Sequence, residues 1–339
     1  MKAVAIIAND SANSIDHFVD LEIVAPIPKT RDLLVRIEAV SVNPLDLKMR
    51  SASPHPDGTP RILGWDAAGV VEATGADVSL FKTGDRVFYA GSILRPGTNA
   101  ELHVVDERIV GHMPRSIGFD AAAALPLTAI TAWEALFERL RISPESLSSG
   151  KSILIIGAAG GVGSMALQLA KTVRNLTVIA TASRAVSQDW CRGLGADLVI
   201  DHAAELKPQL AAAGIKAVDY ILCLADTDYY FSAMASLVRA QGHICAVVES
   251  NAPLPMNELR AKSISFSWEG MFTRSLYATP DMIEQHHLLN RLARLIDAGT
   301  VRTTMQHNLG AINADNLRQA HLLVGTGHTI GKVVLSGFE

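Results

Sequence analysis

The stretch Ile155–Lys171, IIGAAGGVGSMALQLAK, decides the fold of this chain. It overlaps the end of the apolar segment SILII at Ser152–Ile156, and its four glycines stand directly before a helical pattern. The apolar residues of that pattern fall on one helix face, at Val162, Met165, Leu169 and Val173. A glycine-rich turn between a buried strand and an amphipathic helix is typical of a domain that binds a dinucleotide.

The glycines explain how this loop would bind a pyrophosphate. A helix N-terminus offers unpaired N–H groups and the positive end of the helix dipole. With the spacing G-x-x-G-x-x-G, Gly157 permits the tight turn, Gly160 the approach of phosphate, and Gly163 the packing of helix on strand. The loop residues expected to bind cofactor are Gly157, Ala158, Gly160, Gly161, Val162 and Gly163. The alternative is a purely structural turn, whereas a Walker-type loop is excluded because no Gly-Lys-Ser/Thr follows.

The end of the second strand of this domain indicates which dinucleotide is bound. NAD-specific sheets carry an acid there, about 20 residues after the loop. This chain has Ser183 and Arg184 instead, which can bind a 2′-phosphate by a hydrogen bond and a charge-assisted contact. NADPH is therefore the expected cofactor, with His202 after the third strand at the adenine or phosphate edge. In the alternative interpretation, Arg184 is a solvated loop residue and His202 a surface histidine.

The bulk composition limits the classes of partner. A chain of 339 residues, 49 % hydrophobic, is long enough for two domains. The net charge of −4, without runs of Lys or Arg, predicts no nucleic-acid or membrane-surface binding and favours a small-molecule substrate. No apolar segment approaches a membrane span, and the N-terminal segment reads as a strand and turn rather than a signal peptide. Three widely spaced cysteines predict a reducing, cytoplasmic location.

The pattern of apolar residues changes once along the chain. Up to about residue 124 it shows short strands such as DLLVRIEAVSV and AAGVVEAT, separated by Pro and Gly. From Lys151 strands alternate with helices, which indicates βαβ units and a parallel sheet. The predicted strands are Ser152–Ile156, Thr177–Ala182, Leu198–Ile200, Val218–Leu224, His243–Val248 and Ile264–Trp268. These elements predict an α/β fold: a six-stranded parallel Rossmann domain at 125–268, set into a β-rich domain of 1–124 and 269–339.

Several motifs resemble one enzyme superfamily. VSVNPLDLKMR, PRILGWDAAGVVEATG, LPLTAITAW and the final GKVVL, together with the glycine loop, are similar to the medium-chain dehydrogenase/reductase superfamily. They look like its quinone oxidoreductase and alkenal reductase branch, and most like the group labelled zinc-type alcohol dehydrogenase-like. The resemblance covers nearly the whole chain and implies that the β-rich domain is GroES-like and catalytic.

The zinc in that label does not match the residues. Zinc alcohol dehydrogenases of this superfamily have a Cys where this chain has Asn43, and Gly-His-Glu where it has Gly64-Trp65-Asp66. Their structural zinc uses four Cys, but no cysteine here precedes Cys191. Catalytic zinc needs three N, S or O ligands, so we expect no metal. An adventitious ion at Asp66 with His55 or His103 is the alternative.

The resemblance also implies a set of catalytic residues. They are Asn43, Asp46, Lys48, Trp65, Asp66 and, against the nicotinamide, Thr131. An Asn amide or a Lys ammonium near the acceptor oxygen would stabilise an enolate. Each residue also has a structural interpretation: Asn43 and Asp46 as the start of a short helix, Lys48 as a solvated side chain, Trp65 as core packing and Thr131 as a hydroxyl bonded to its own turn.

Together these features predict an NADPH-dependent oxidoreductase that works without zinc. Quinones and α,β-unsaturated carbonyls accept hydride while delocalising the charge, so hydrogen-bond donors suffice to stabilise it. The alternatives are an alcohol dehydrogenase and a non-catalytic NADPH-binding protein. The strands near residues 243–268 predict an exposed sheet edge, which a second copy of the chain would cover in a homodimer.

Overall fold

The computed structural model describes residues 1–7, 17–51, 59–143 and 150–338. The chain divides into two compact units, Met1–Ile130 with Phe272–Glu339, and Thr131–Met271. The strands are β1 (Lys2–Ile6), β2 (Phe18–Glu22), β3 (Asp32–Val42), β4 (Arg61–Ile62), β5 (Ala67–Thr74), β6 (Arg86–Tyr89), β7 (Leu102–Asp106), β8 (Val110–His112), β9 (Ser152–Ile156), β10 (Thr177–Thr181), β11 (Leu198–Ile200), β12 (Val218–Cys223), β13 (Val238–Ala246), β14 (Ser265–Trp268), β15 (Met305–Asn308) and β16 (Lys332–Ser336).

The helices lie in both units. They are α1 (Pro44–Ser51), α2 (Phe119–Ala123), α3 (Pro126–Trp133), α4 (Gly161–Lys171), α5 (Ala185–Gly193), α6 (Leu206–Ala212), α7 (Thr227–Leu237), α8 (Asn257–Arg260), α9 (Thr273–Tyr277), α10 (Glu284–Asp297) and α11 (Ala314–Gly325). Pro126 is the first residue of α3, and Glu134–Arg139 form a π-helical turn directly after that helix. In the described part of the chain, no helix is both long and apolar enough to cross a membrane.

The first unit is built around the long strand β3. A seven-stranded sheet has the order β15-β16-β3-β5-β6-β8, with β7 also paired to β3, and a smaller sheet has the order β2-β1-β4. Most residues of β3 are buried, because it is an inner strand with neighbours on both sides. This unit is rich in β-strands, as the sequence predicts.

The strand register brings three distant segments of this unit together. β16 and β5 are antiparallel to β3, with Val333 opposite Val42 and Ala67 opposite Val40. The first residue of β16 and the residue before β5 therefore lie beside the C-terminal end of β3, which leads into α1. Antiparallel pairing thus creates a side-chain cluster that no local segment contains.

The second unit is a six-stranded parallel sheet, as predicted. Its order is β11-β10-β9-β12-β13-β14, which is 3-2-1-4-5-6 when the strands of the unit are numbered along the chain. This is the dinucleotide-binding order, with its switch point between the first and fourth strands. β13 starts at Val238, five residues before the predicted start at His243. The prediction missed these residues because residues 239–241 are exposed and show no apolar pattern.

Candidate functional site

The glycine loop joins β9 to α4 and has the geometry of a tight turn. Gly157 has φ +81°, a conformation that strains any residue with a Cβ. Its N–H donates to Thr181 Oγ1 at 3.1 Å, which ties the loop to the end of the neighbouring strand β10. A Cβ at Gly163 would lie 2.5–2.6 Å from backbone atoms of Ala158, so α4 can approach the loop this closely only with glycine there.

The N-terminus of α4 leaves space for a ligand. Gly160 is its N-cap, in an extended conformation without a side-chain hydrogen bond, and Gly161 begins the helix. A Cβ at Gly160 would find only the Gly157 carbonyl oxygen nearby among the described atoms, at 3.7 Å. The space next to Gly160 is therefore not filled by these parts of the protein, and the first-turn N–H groups of α4 provide the electrostatics of an anion site.

The residues predicted to bind the 2′-phosphate or adenine, Ser183, Arg184 and His202, follow the next two strands of the sheet. Ser183 is half-buried and Arg184 exposed after β10. The main chain of Arg184 is held by Ser187, whose Oγ accepts the Arg184 N–H at 3.2 Å and donates to its carbonyl oxygen at 2.8 Å. His202 Nδ1 lies 3.3 Å from Thr181 Oγ1. The carboxyl ends of β9, β10 and β11 thus bring together all the predicted cofactor residues except Thr131, with Thr181 as a support that sequence reasoning missed.

A second cluster lies in the first unit, where β3 leads into α1. Asp66 is fully buried, and its Oδ2 accepts hydrogen bonds from Asn43 Nδ2 and Ser41 Oγ, each at 2.9 Å. Its Oδ1 accepts the Leu127 N–H at 2.8 Å. Asp46 Oδ2 accepts the Asn43 N–H at 2.7 Å. Asp46 is thus hydrogen-bonded to the main chain at the start of α1. The Asn43 side chain points to Asp66 and does not cap this helix.

Lys332 completes this cluster. Its Nζ lies 2.9 Å from the Val42 carbonyl oxygen, 2.5 Å from Asn43 Oδ1 and 3.2 Å from Asp66 Oδ2. The residue is 3 % exposed, so the ion pair is inside the protein. Lys332 is not among the predicted site residues, although a charged residue at the head of the buried strand KVVLS is a signal of an internal partner.

Burial governs the pKa values of this cluster. Desolvation raises the pKa of Asp46 to about 7, although the Asn43 N–H and the Lys332 charge oppose the shift. Desolvation also raises the pKa of Asp66, with Lys332 as the largest opposing influence. Desolvation also lowers the pKa of Lys332, although the Asp66 and Asp46 carboxylates oppose this shift. The cluster is therefore poorly hydrated, and its charges depend on one another.

The other candidate residues have different surroundings. Lys48 is exposed on α1, and Thr131 is buried in α3 and belongs to the second unit. Trp65 is buried, and its indole Nε1 donates to the Ser92 carbonyl oxygen at 3.3 Å. Of the two histidines proposed for an adventitious metal, His55 lies outside the described residues. Both ring nitrogens of His103 have partners, at Tyr89 Oη and the Pro96 carbonyl oxygen.

Both units of this chain are similar to those of known dehydrogenases. A GroES-like unit combined with a Rossmann unit is the architecture of a dehydrogenase. Residues 29–122 match the alcohol dehydrogenase GroES-like domain, and residues 194–335 match the zinc-binding dehydrogenase family. The chain is 44 % identical over 312 residues to a zinc-type alcohol dehydrogenase-like protein of Staphylococcus aureus, covering 92 % of each. The chain belongs to the medium-chain dehydrogenase/reductase superfamily, a family of oxidoreductases.

Solved structures agree with this assignment. A candidate zinc-dependent alcohol dehydrogenase from Rhizobium etli has a TM-score of 0.93 and 47 % identity, covering 100 % of this chain and 99 % of that chain. A quinone oxidoreductase from Escherichia coli, solved with NADPH, shares the fold at a TM-score of 0.83 and 22 % identity, covering 99 % of this chain and 100 % of that one.

The zinc in the family descriptions does not fit the residues present here. Both carboxylate oxygens of Asp66 already accept hydrogen bonds, and Asn43 Oδ1 faces the Lys332 ammonium, which would repel a metal ion. The Trp65 indole offers a donor and no ligand atom. Within the described ranges, no group of three or more His, Cys, Asp or Glu side chains has a metal-binding arrangement.

Proposed function

We propose that this chain is a cytoplasmic, zinc-independent oxidoreductase that uses NADPH to reduce quinones or the C=C bond of α,β-unsaturated carbonyls. The observation that carries the proposal is the Lys332 ammonium beside Asn43 and Asp66, the positions that correspond to zinc-site residues in the alcohol dehydrogenases it resembles. A site without a Lewis acid favours acceptors that spread the charge left by hydride addition. The free, buried cysteines Cys191, Cys223 and Cys245 fit a reducing compartment.

The residues of the second unit fit a nicotinamide dinucleotide. The open space at Gly160 and the N-terminus of α4 suit a pyrophosphate, and the exposed Arg184, with its main chain fixed by Ser187, suits a 2′-phosphate. When bound, NADPH supplies the hydride, and the protein provides binding, orientation and electrostatics. The fold neighbour from Escherichia coli, solved with NADPH, supports the same cofactor.

Asn43 is the donor that we assign to the acceptor oxygen. Its Nδ2 has one acceptor among the described residues, Asp66 Oδ2, and an amide nitrogen carries two hydrogens. We assign the second hydrogen to the oxyanion of an enolate or a hydroquinone, which has to reach Asn43 in a buried position, 1 % exposed. Asp46 and Asp66 act on the geometry of Asn43 rather than on the substrate, since their carboxylates face it and the adjoining main chain.

The cofactor preference tests the proposal. We expect the protein to oxidise NADPH with quinones or enones at a kcat/KM at least tenfold above that with NADH. Arg184→Ala should lower kcat/KM for NADPH by about 10- to 100-fold and leave NADH unchanged, because only NADPH has the 2′-phosphate.

The matched control is Arg192→Ala, near the end of α5, the helix whose N-cap is Arg184; Arg192 pairs with Asp189. An unchanged NADPH preference in Arg184→Ala would contradict the assignment of the 2′-phosphate site. Stoichiometric zinc by elemental analysis, together with alcohol oxidation, would favour the alcohol dehydrogenase alternative. Tight NADPH binding without turnover of any acceptor would favour a non-catalytic role.

The edge strand β14 supports a homodimer. β14 is the last strand of the parallel sheet, and Trp268 at its end is 45 % exposed. Pairing with β14 of a second copy would cover this edge. We expect light scattering coupled to size exclusion to give twice the monomer mass of 36.2 kDa. Because the Glu269 N–H donates to the Ala246 carbonyl oxygen of β13, the N–H of Trp268 faces the free edge. Trp268→Pro, which removes that N–H, should shift the protein toward the monomer. A monomer that persists at high concentration would rule this assembly out.

A further inference from the structure

We infer that Lys332 is a positioning residue that fixes and polarises the side-chain amide of Asn43, so that an ammonium takes the electrostatic place of a metal ion. The inference rests on the proposed function, because it concerns how Asn43 stabilises the reduced acceptor. Neither the family descriptions nor the relatives assign this role to the lysine at the head of the last strand.

Lys332 has no hydrogen left for a substrate. An ammonium has three N–H donors, and three acceptors surround Nζ: the Val42 carbonyl oxygen at 2.9 Å, Asn43 Oδ1 at 2.5 Å and Asp66 Oδ2 at 3.2 Å. Any effect of Lys332 on the reaction must therefore pass through a neighbouring group.

The contacts of Asn43 show which neighbour transmits the effect. Its Oδ1 faces the ammonium and its Nδ2 donates to the Asp66 carboxylate. If the amide flipped, its NH₂ would face the ammonium and its oxygen would face the carboxylate, so the two charges together select one orientation. Lys332 Nζ lies closer to Asn43 Oδ1 than to Asp66, at 2.5 Å against 3.2 Å.

The ammonium also changes the strength of the amide as a donor. A cation bound to the carbonyl oxygen draws electron density from the amide nitrogen, and hydrogen bonds in series strengthen one another in a poorly hydrated site. The remaining Nδ2 hydrogen thereby becomes a stronger donor to a developing oxyanion. The hydrogen bond to an oxyanion is charge-assisted through the oxyanion itself, and the cation on the amide oxygen strengthens it further. The polarised amide is in place before the reaction begins.

The chain offers a matched control lysine. Lys262 Nζ also donates to three acceptors, the carbonyl oxygens of Ala235, Ser236 and Val238, at 2.7–2.9 Å. These lie at the end of α7 and the amino end of β13, whereas the glycine loop follows the carboxyl end of β9. Lys262→Met therefore removes the same number of hydrogen bonds without touching Asn43.

The experiment compares Lys332→Met with Lys262→Met in steady-state kinetics and NADPH binding. We expect Lys332→Met to lower kcat for the best acceptor by about 30-fold, and to leave the Kd for NADPH within twofold of wild type. Lys262→Met should lower Tm with kcat near wild type. In an Asn43→Ala background, Lys332→Met should cause no further loss of kcat, because its effect passes through that amide.

Charge removal separates this role from a structural one. If Lys332→Met does not fold, the comparison is made between Asp66→Asn and the double variant Asp66→Asn with Lys332→Met, in which no carboxylate is left without its cation. We expect kcat of the double variant to be about tenfold or more below that of Asp66→Asn. Equal kcat in that pair, or equal losses from Lys332→Met with and without Asn43, would overturn the inference while the proposed function stands. A wild type that is inactive with every acceptor would overturn both.

Discussion

Gly160→Ala is expected to weaken NADPH binding by at least 30-fold while Tm stays within about 1 °C of wild type. Gly160 has φ −70°, which alanine adopts without strain, and a Cβ there meets only one described atom within 4 Å, the Gly157 carbonyl oxygen at 3.7 Å. The methyl group would instead enter the space that we assign to the pyrophosphate. Thermal unfolding and a fluorescence titration with NADPH measure the two effects separately.

Gly163→Ala provides the contrast for this experiment. Its Cβ would lie within 2.6 Å of three backbone atoms of Ala158, and backbone cannot move aside as a flexible side chain can. We expect this variant to lose several kcal/mol of stability, as overpacked positions in a core do. A Gly160→Ala protein that binds NADPH like wild type would refute the assignment of the loop as the pyrophosphate site.

Glu269→Gln is expected to make the protein more stable, and increasingly so as the pH rises from 5 to 8. Glu269 is buried after β14, with Arg139 Nε 2.9 Å from its Oε2. Burial, followed by the nearby Glu134 carboxylate, raises the pKa of Glu269 to about 9 from an ordinary value of 4.5, although Arg139 opposes the shift. Glutamine has a similar shape and no proton to lose.

The direction follows from proton binding. Between pH 4.5 and 9 the folded protein holds the Glu269 proton and the unfolded chain does not, so the free energy of unfolding falls as pH rises. A full proton corresponds to about 1.4 kcal/mol per pH unit. Because Glu134 shares the site, we expect a smaller gain, about 3 kcal/mol between pH 5 and 8. The Tm of Glu269→Gln should match wild type at pH 5 and exceed it by about 5 °C at pH 8.

Glu138→Gln is the matched control. Glu138 lies on the π-helical turn Glu134–Arg139, with its Oε2 3.7 Å from Arg139 Nη1, but its side chain is 31 % exposed. Its variant should change the pH dependence of wild type only slightly, because Glu138 is the last of the influences that raise the pKa of Glu269 and its own charge is partly solvated. If the Tm curves of wild type and Glu269→Gln ran parallel between pH 5 and 8, Glu269 would not carry the raised pKa.

Local patterns predicted much of the architecture. The segment DLLVRIEAVSV forms β3 over Asp32–Val42, and the predicted strands Ser152–Ile156 and Leu198–Ile200 have those bounds in the structure. Each is a short run of β-branched and apolar residues next to turn residues, so its conformation follows from neighbours in the chain. The start of β13 was predicted wrongly because residues 239–241 are exposed. Val238 pairs with Val218 of β12 before an irregularity in the register, and this pairing depends on the sheet.

The candidate site was predicted unevenly. The glycine loop was found from sequence because a strand, its turn and the following helix are contiguous. Thr181 was missed, because only sheet pairing places its hydroxyl against Gly157. Among the candidate catalytic residues, Asn43, Asp46 and Asp66 meet in one cluster, whereas Lys48 is exposed on α1.

Local sequence patterns were enough to predict the class of fold and the place of the glycine loop, because both depend on periodicity and on residues close together in the chain. The way in which Asn43 is held becomes visible only in the folded chain, because its partner Lys332 is 289 residues away and reaches it through the antiparallel pairing of β16 with β3. A buried charge is tolerated only where the fold supplies its counter-charge and acceptors. That pairing is a property of sheet register, which no short segment encodes.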